Sequence, residues 1–553
     1  MSENRERRPS ARRTVRVVAM LDPRICYRAL RTRDERFDGR IFVAVTSTGI
    51  YCRPICPAGP PRFENCRFFP SAAAAQEAGF RPCLRCRPET APEQGSWRGT
   101  SNTVSRGLAL IAEGHLDGDD ASVEDLAERL GVGARQLRRL FQQHLGASPI
   151  TVAQTRRVLF AKQLIHDTRL PMAEIAMAAG FGSVRRFNET FQQLFRRPPS
   201  AIRRKLIVAL PEGSVGASGV TVHLRYRPPF DWPALLSFLR ARAIDGIEEV
   251  AGDIYRRTIS IDGQVGTVEV CHRPDIRSLA AAIRFPCVRA LQGIVARIRR
   301  VFDIDADVGA IGAHLARDPL LAPLVAARPG LRVPGAWDGF ELAARAILGQ
   351  QITVEAARQL GGQLARACAG RRNGHGHGAN GVAGGDGAND GDGVGEGVGG
   401  LHLTFPDAAG VAAADLEALG MPGARRRALA ELARAALAEP LLFQPLGTVE
   451  ETVARLRAVR GIGEWTAQYI ALRAAREPDA FPASDRGLLR GAARGRGGEP
   501  TPAALEARAE RWRPWRAYAA QHLWAADATR ARTASPGGRP AHRPQPSQPW
   551  SQP

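Results

Sequence analysis

Lysine is almost missing from this chain of 553 residues: only Lys162 and Lys205 occur, so 75 of the 77 cationic side chains are arginine. Any mechanism that attacks through a lysine amine is therefore excluded beyond Lys205. No apolar run approaches the ~18 residues that read as a membrane-spanning helix. The basic opening stretch MSENRERRPSARRTVRVVAML carries no uninterrupted apolar core of the kind a secretory signal needs, so a cytoplasmic location is expected. Acidic residues are too few to balance the arginines. Their number is 55, which leaves a net charge of +22 and points to a polyanionic partner, with nucleic acid the commonest. An arginine-rich coding bias would produce the same excess, so charge by itself does not decide the matter. Cysteine is sparse except at one end: Cys26, Cys52, Cys56, Cys66, Cys83 and Cys86 crowd the first 86 residues, whereas Cys271, Cys287 and Cys368 are scattered. Clustering of this kind in a cytosolic chain suggests metal rather than disulfides.

Composition divides the remainder into a multidomain, mainly α architecture. A cysteine-rich small α+β module is expected over 16–92, followed by a polar linker and a helix-patterned stretch over 102–206. The linker PEGSVGASG precedes alternating apolar sequence (TVHLRYRP, YRRTISIDGQVGTVEV), which predicts a small mixed α/β domain over 219–328. A helical domain is expected over 329–529, broken by a glycine tract at 370–400, and a disordered tail over 533–553. His375 and His377 fall in the tract and are read as loop residues.

Cys52-x3-Cys56 and Cys83-x2-Cys86 supply two close pairs of soft ligands, the set that tetrahedral zinc takes. A closed structural site is the commoner use of such spacing. Four thiolates around a divalent ion nevertheless carry a formal −2, so an accessible sulfur among them stays nucleophilic and can accept an alkyl group. The stretch FVAVTSTGIYCRPICP with ENCRFFPSAAAAQEAGFRPCLRCRPE resembles the N-terminal domain of Ada-type alkylation-response proteins. The resemblance implies that Cys52, Cys56, Cys83 and Cys86 bind zinc and that Cys52 takes a methyl group irreversibly from a DNA methylphosphotriester. Cys26 and Cys66 match no ligand and are expected to be small buried hydrophobes. The family's second methyl-accepting centre is absent, since Pro286-Cys287-Val288-Arg289 resembles its signature only superficially.

SVEDLAERLGVGARQLRRLFQQHLGASP and PMAEIAMAAGFGSVRRFNETFQQLFRRPP are two copies of one unit: Ala127 and Ala176, Gly131 and Gly180, Phe141 and Phe191, Pro149 and Pro199 recur 49 to 50 residues apart. Each copy predicts a short apolar helix, a glycine turn and an arginine-bearing second helix, which is helix-turn-helix geometry. The segment resembles the tandem helix-turn-helix domain of AraC-type regulators. Arg135, Arg138, Arg139, Arg185 and Arg186 are its candidate DNA contacts, and RNA polymerase is a further partner to be considered at a promoter.

In the last third, Gly461-Ile462-Gly463 lies between two helical segments, where glycines let backbone N–H groups approach a phosphate. Asp485 stands 22 residues beyond Gly463, and ERWRPWRAYAAQHLW adds Trp512, Trp515 and Trp524. Together with YRPPFDWPALLSFLRARAIDGIE and RPGLRVPGAWDGFELAARAILGQQIT, these segments resemble the AlkA-type 3-methyladenine DNA glycosylase II family, a helix-hairpin-helix fold. The resemblance implies catalysis by Asp485 and a base pocket formed by Trp465, Tyr469 and Trp515. It also implies hydrolysis without strand cleavage, because Trp465 occupies the position where related lyases carry a lysine. Gln351 replaces an apolar wedge and Arg486 an aromatic residue, departures that bear on substrate range. The chain as a whole is thus expected to join alkylation sensing, transcriptional regulation and excision of alkylated purines on double-stranded DNA. Two alternatives stay open here: a regulator whose glycosylase half is inactive, and a repair enzyme without a promoter role.

Overall fold

The computed structural model describes residues 22–91, 102–118, 121–203, 219–372, 400–446, 448–493 and 498–534. The glycine tract, apart from a helix end at 370–372, lies outside the described residues, as do His375, His377, Lys205 and the tail beyond 534.

The first unit folds around a four-stranded sheet, β1 (Phe42–Val45), β2 (Ile50–Cys52), β3 (Cys66–Phe69) and β4 (Arg81–Pro82), in the order β3-β1-β2-β4. β1 pairs antiparallel with β2 and β3, and β2 pairs parallel with β4. That parallel pair brings Cys52, at the end of β2, beside Cys83, immediately after β4. Cys26 is fully buried, as expected of a small hydrophobe, and burial pushes its thiol up to about 11. Cys66 differs from the expectation: it is only half-buried, and its thiol donates to the Arg62 carbonyl at 3.3 Å.

Two helix pairs follow, Val123–Arg129 with Ala134–Leu145, and Met172–Ala178 with Val184–Phe195, joined by the 19-residue helix Pro149–Asp167. Serines cap three of these helices, Ser122, Ser148 and Ser183 each accepting the N–H three residues on. The repeat seen in the sequence is a structural repeat. Gly131 and Gly180 take φ of +68° and +79° at the two turns, while Phe141 and Phe191 are completely buried at equivalent places.

The third unit is a five-stranded sheet, antiparallel throughout: β5 (Val220–Arg225), β6 (Glu248–Ala251), β7 (Ile254–Ile261), β8 (Gln264–Arg273) and β9 (Ser278–Arg284), ordered β5-β9-β8-β7-β6. β5 alternates buried and half-buried residues, matching the period of two in TVHLR. Its apolar face and the second helix-turn-helix repeat share one continuous core that runs from Ile175, Phe187 and Phe191 to Val222, Tyr255 and Trp337. The last unit is helical, with a separate core around Ile347, Leu432, Ile470 and Leu523. Among the described residues no helix is long and apolar enough to cross a membrane.

Candidate metal centre, DNA-facing helices and base pocket

The four cysteines of the sequence motif converge: the Sγ atoms of Cys52, Cys56, Cys83 and Cys86 all lie within 4.8 Å of one another. Four thiols at this spacing cannot all ionise against each other. Hydrogen bonds from neighbouring thiols push Cys52 up and pull Cys83 down, a conflict that one divalent cation removes by replacing the shared protons. The donor set, all sulfur and tetrahedrally disposable, fits zinc. Access separates the four. Cys56, Cys83 and Cys86 are 5–7% exposed, whereas Cys52 is the half-buried member. Backbone N–H groups of Arg53 and Arg85 also donate to Cys86 and Cys83 at 3.4 and 3.3 Å, and such bonds drain charge from those sulfurs. Buried Arg53 holds the ligand loops together, donating to Asp38, to the Cys86 carbonyl at 3.2 Å and to Thr90 at 2.7 Å.

The second helices of both repeats present their arginines outward. Arg135, Arg138 and Arg139 are exposed on Ala134–Leu145, and Arg185 and Arg186 on Val184–Phe195. Two of them rest on surface carboxylates, Arg138 on Glu124 at 2.7 Å and Arg185 on Glu189 at 2.8 Å. Exposed pairs of this kind contribute about 0–1 kcal/mol, so a phosphate can displace them.

At the far end of the chain, Val449–Arg457 and Glu464–Arg473 form the expected helical hairpin. Thr448 and Glu451 close a reciprocal capping box at its start. Gly461 takes a φ of +95°, and a Cβ there would come within 2.3 Å of the Ala428 side chain, so only glycine fits. Gly463 caps the second helix without a side-chain partner and faces open space, which leaves its first N–H groups available to a phosphate.

Asp485 caps the next helix, Arg486–Ala492, and is held from three sides. Oδ1 accepts the Leu488 N–H at 3.0 Å and the Trp524 indole at 2.8 Å, while Oδ2 accepts the Trp465 indole at 2.8 Å. The carboxylate opens into a cavity of about 1150 Å³ whose wall includes Phe238, Arg242, Trp465, Tyr469, Arg473 and Trp524. Trp465 stacks on Tyr469 with centroids 5.3 Å apart and planes 10° from parallel. Burial raises the Tyr469 phenol, but the facing Arg473 and Arg242 guanidiniums outweigh it and draw the group below its usual range. Arg473 spans the back of the pocket, over the rings of Phe238 at 4.4 Å, Tyr469 at 5.1 Å and Trp524 at 5.3 Å.

Trp465, Tyr469 and Asp485 are thus brought together as expected, and Trp515 is not. Trp515 precedes the last helix and packs edge-on against His314 at 5.0 Å, while the pocket position belongs to Trp524, eight residues into that helix. Sequence reading also missed Phe238, Arg242 and Arg473. Phe238 and Arg242 come from the sheet unit, more than 200 residues before the hairpin, and no spacing in the sequence ties them to it. Arg486 is exposed and lies 3.6 Å from Glu499. Gln351 is exposed with a φ of +59° at a turn tied to the hairpin through Gln350, which donates to the Gly461 carbonyl at 3.3 Å and to Thr466 at 3.2 Å.

Comparison with known proteins divides the chain along the same lines. Residues 25–89 match the metal binding domain of Ada, residues 126–205 a helix-turn-helix domain, and residues 221–338 the AlkA N-terminal domain. The chain is 40% identical over 501 residues to a probable bifunctional transcriptional activator/DNA repair enzyme AlkA of Mycobacterium tuberculosis, covering 90% of this chain and 95% of that relative. It is 35% identical over 310 residues to DNA-3-methyladenine glycosylase 2 of Escherichia coli, covering 54% of this chain and 95% of the relative. The bifunctional transcriptional activator/DNA repair enzyme Ada of Escherichia coli is 33% identical over 123 residues, 22% of this chain and 33% of the relative.

Proposed function

Because the chain belongs to the family of bifunctional transcriptional activator/DNA repair enzymes of the AlkA type, we propose that it repairs DNA alkylation at two separate centres and reports one of the repairs to a promoter. One observation carries this reading: a four-cysteine cluster in which Cys52 is the half-buried residue, and a carboxylate clamped in the wall of an aromatic cavity, occur in separate units of one chain.

At the first centre, Cys52, Cys56, Cys83 and Cys86 would hold zinc, which when bound would keep their sulfurs deprotonated at neutral pH. The Cys52 thiolate attacks the methyl carbon of a methylphosphotriester. A carbon–sulfur bond forms, the methyl carbon–oxygen bond breaks, and the electron pair departs with the phosphodiester. The formal charge of the cluster falls from −2 to −1. Repulsion from DNA phosphates falls with it, which favours binding through the arginine-bearing helices. Arg135, Arg138, Arg139, Arg185 and Arg186 are the proposed contacts, and RNA polymerase the proposed partner of the promoter-bound state, in the cytoplasm.

At the second centre, Gly461 and Gly463 grip a phosphate while the alkylated purine enters the cavity beside Trp465, Tyr469 and Trp524. The base is already cationic and leaves with the electron pair of the glycosidic bond, so no strong general acid is needed. Asp485 opposes the positive charge that develops on the sugar and orients the water that completes the hydrolysis. A purely regulatory role would leave this carboxylate clamp without a purpose. Released 3-methyladenine, assayed on methylated DNA with wild-type protein and Asp485→Asn, tests the reading. Release by the wild type and release slowed by about 10²–10³-fold with the variant are expected, and equal release by both would refute it.

A further inference from the structure

The metal module is hydrogen-bonded directly to the DNA-binding domain. Ser71 Oγ donates to the carbonyl of Leu145, the last residue of the first arginine-bearing helix, at 2.7 Å. Glu77 accepts the backbone N–H of Ser148, which caps the long central helix, at 3.1 Å. The centre of the joint is Lys162, one of two lysines in the sequence and completely buried. Its ammonium donates to the carbonyl of Cys83 at 2.9 Å and to Glu89 Oε2 at 2.5 Å. Arg87, held in the left-handed region at a φ of +52°, bridges Glu89 at 3.0 Å and Asp167 at 2.8 Å, so the last turn of the same helix is tied to the same loop. Cys83 in turn donates its N–H to the Tyr51 carbonyl at 3.0 Å, the peptide unit that leads into Cys52. An unbroken run of bonds therefore leads from Cys52, through the backbone N–H and C=O of Cys83, to the helix that joins both helix-turn-helix repeats.

A buried ammonium is an inefficient way to hold two domains together, since an apolar side chain of the same length would pack there without desolvating a charge. What a charge adds is sensitivity to other charges. Lys162 lies against the backbone of a thiolate cluster whose formal charge changes by one when Cys52 is methylated, so its attraction differs between the two states. That difference is what any ligand-driven shift requires.

We propose that Lys162 is the positioning residue that couples the methylation state of Cys52 to DNA binding by the tandem helix-turn-helix domain. With Cys52 as thiolate the ammonium holds the module hard against the central helix and the end of the first arginine-bearing helix. With Cys52 as thioether the hold relaxes and both arginine-bearing helices adjust to the DNA. This inference rests on the methyl-transfer reading above.

The test uses the full chain as wild type, as Lys162→Met, and as Lys162→Met combined with Glu89→Gln, the last so that no uncompensated carboxylate is left buried. The probe is a duplex selected from a random-sequence pool by the methylated wild-type protein, and its affinity is measured before and after methylation at one fixed salt concentration. Methyl transfer and base excision are recorded alongside. In the wild type, methylation should raise the affinity roughly tenfold or more, within the range usual for coupled sites. In the double variant the ratio should fall below about twofold, with methyl transfer and excision kept, and Lys162→Arg should restore part of it. A full ratio in the double variant overturns the inference, as does loss of methyl transfer in both variants, since the ammonium would then serve the metal site itself. Absence of any ratio in the wild type instead refutes the switch on which the inference rests.

Discussion

Residue exposure is what sets Cys52 apart among the four cysteines, and the proposed methyl transfer assigns the reaction to it. Three are shut in at 5–7% exposure and Cys52 is not, and two of those three also take backbone N–H bonds. Cys52→Ala should therefore abolish methyl uptake from phosphotriester DNA, read as protein mass, while excision of alkylated bases continues unchanged. At Asp485 the decisive property is fixation. Two indole N–H groups and one backbone N–H fix the carboxylate in place, so in the proposed mechanism it need not reorganise as positive charge develops on the sugar. Asp485→Asn keeps the shape and loses the charge. We expect excision to fall by about 10²–10³-fold, the range for removing one preorganised electrostatic partner, with DNA affinity kept. No borohydride-trapped adduct should form with either protein, because no lysine is present beyond Lys205.

Elements carry the grip on DNA. Loss of a single exposed arginine from either second helix, Arg135 or Arg186 for instance, should weaken binding to all sequences alike and lower the salt slope by about one where it contacts a phosphate. The hairpin is less tolerant. A methyl group at Gly461 meets Ala428 at 2.3 Å in a left-handed backbone, so Gly461→Ala should destabilise the helical unit by about 1–3 kcal/mol and impair DNA binding, checked by thermal melting and titration. Beneath the hairpin, burial pushes the Glu477 carboxyl up to about 7, while a hydrogen bond from Thr452 opposes the shift. The stability it contributes is full below about 4.5 and is lost as pH rises through about 7. Glu477→Gln should accordingly raise the melting temperature at pH 8 and change it little at pH 5, and an equal change at both would contradict the burial of an ionising carboxyl there. Elements were also the scale most legible in the sequence. Alternation in TVHLR marked β5, glycines marked both helix-turn-helix turns and the hairpin, and cysteine spacing alone gathered the metal ligands. The aromatic pocket was legible only in part. Where the last helix begins decides whether Trp515 or Trp524 faces Asp485, and ERWRPWRAYAAQHLW does not reveal that it begins at Arg516, with Trp515 left outside it.

For the molecule as a whole, the contacts that sequence could not reveal are those between units. Lys162 meets Glu89 across 73 residues, Gln163 meets the His223 carbonyl across 60, and Arg300 meets Glu113 across 187, separations that no local pattern encodes. These contacts, with the core shared between the second helix-turn-helix repeat and the five-stranded sheet, join sensor, DNA-binding and excision units without merging their chemistry. If the two centres act independently within one chain, a single sample shows it. Full-length protein is incubated with duplex DNA carrying both methylphosphotriesters and 3-methyladenine, and protein-bound methyl and released base are measured in the same sample. The wild type should yield both products, Cys52→Ala only the base, and Asp485→Asn only the bound methyl. Loss of both products in either variant, or of neither, would contradict the account.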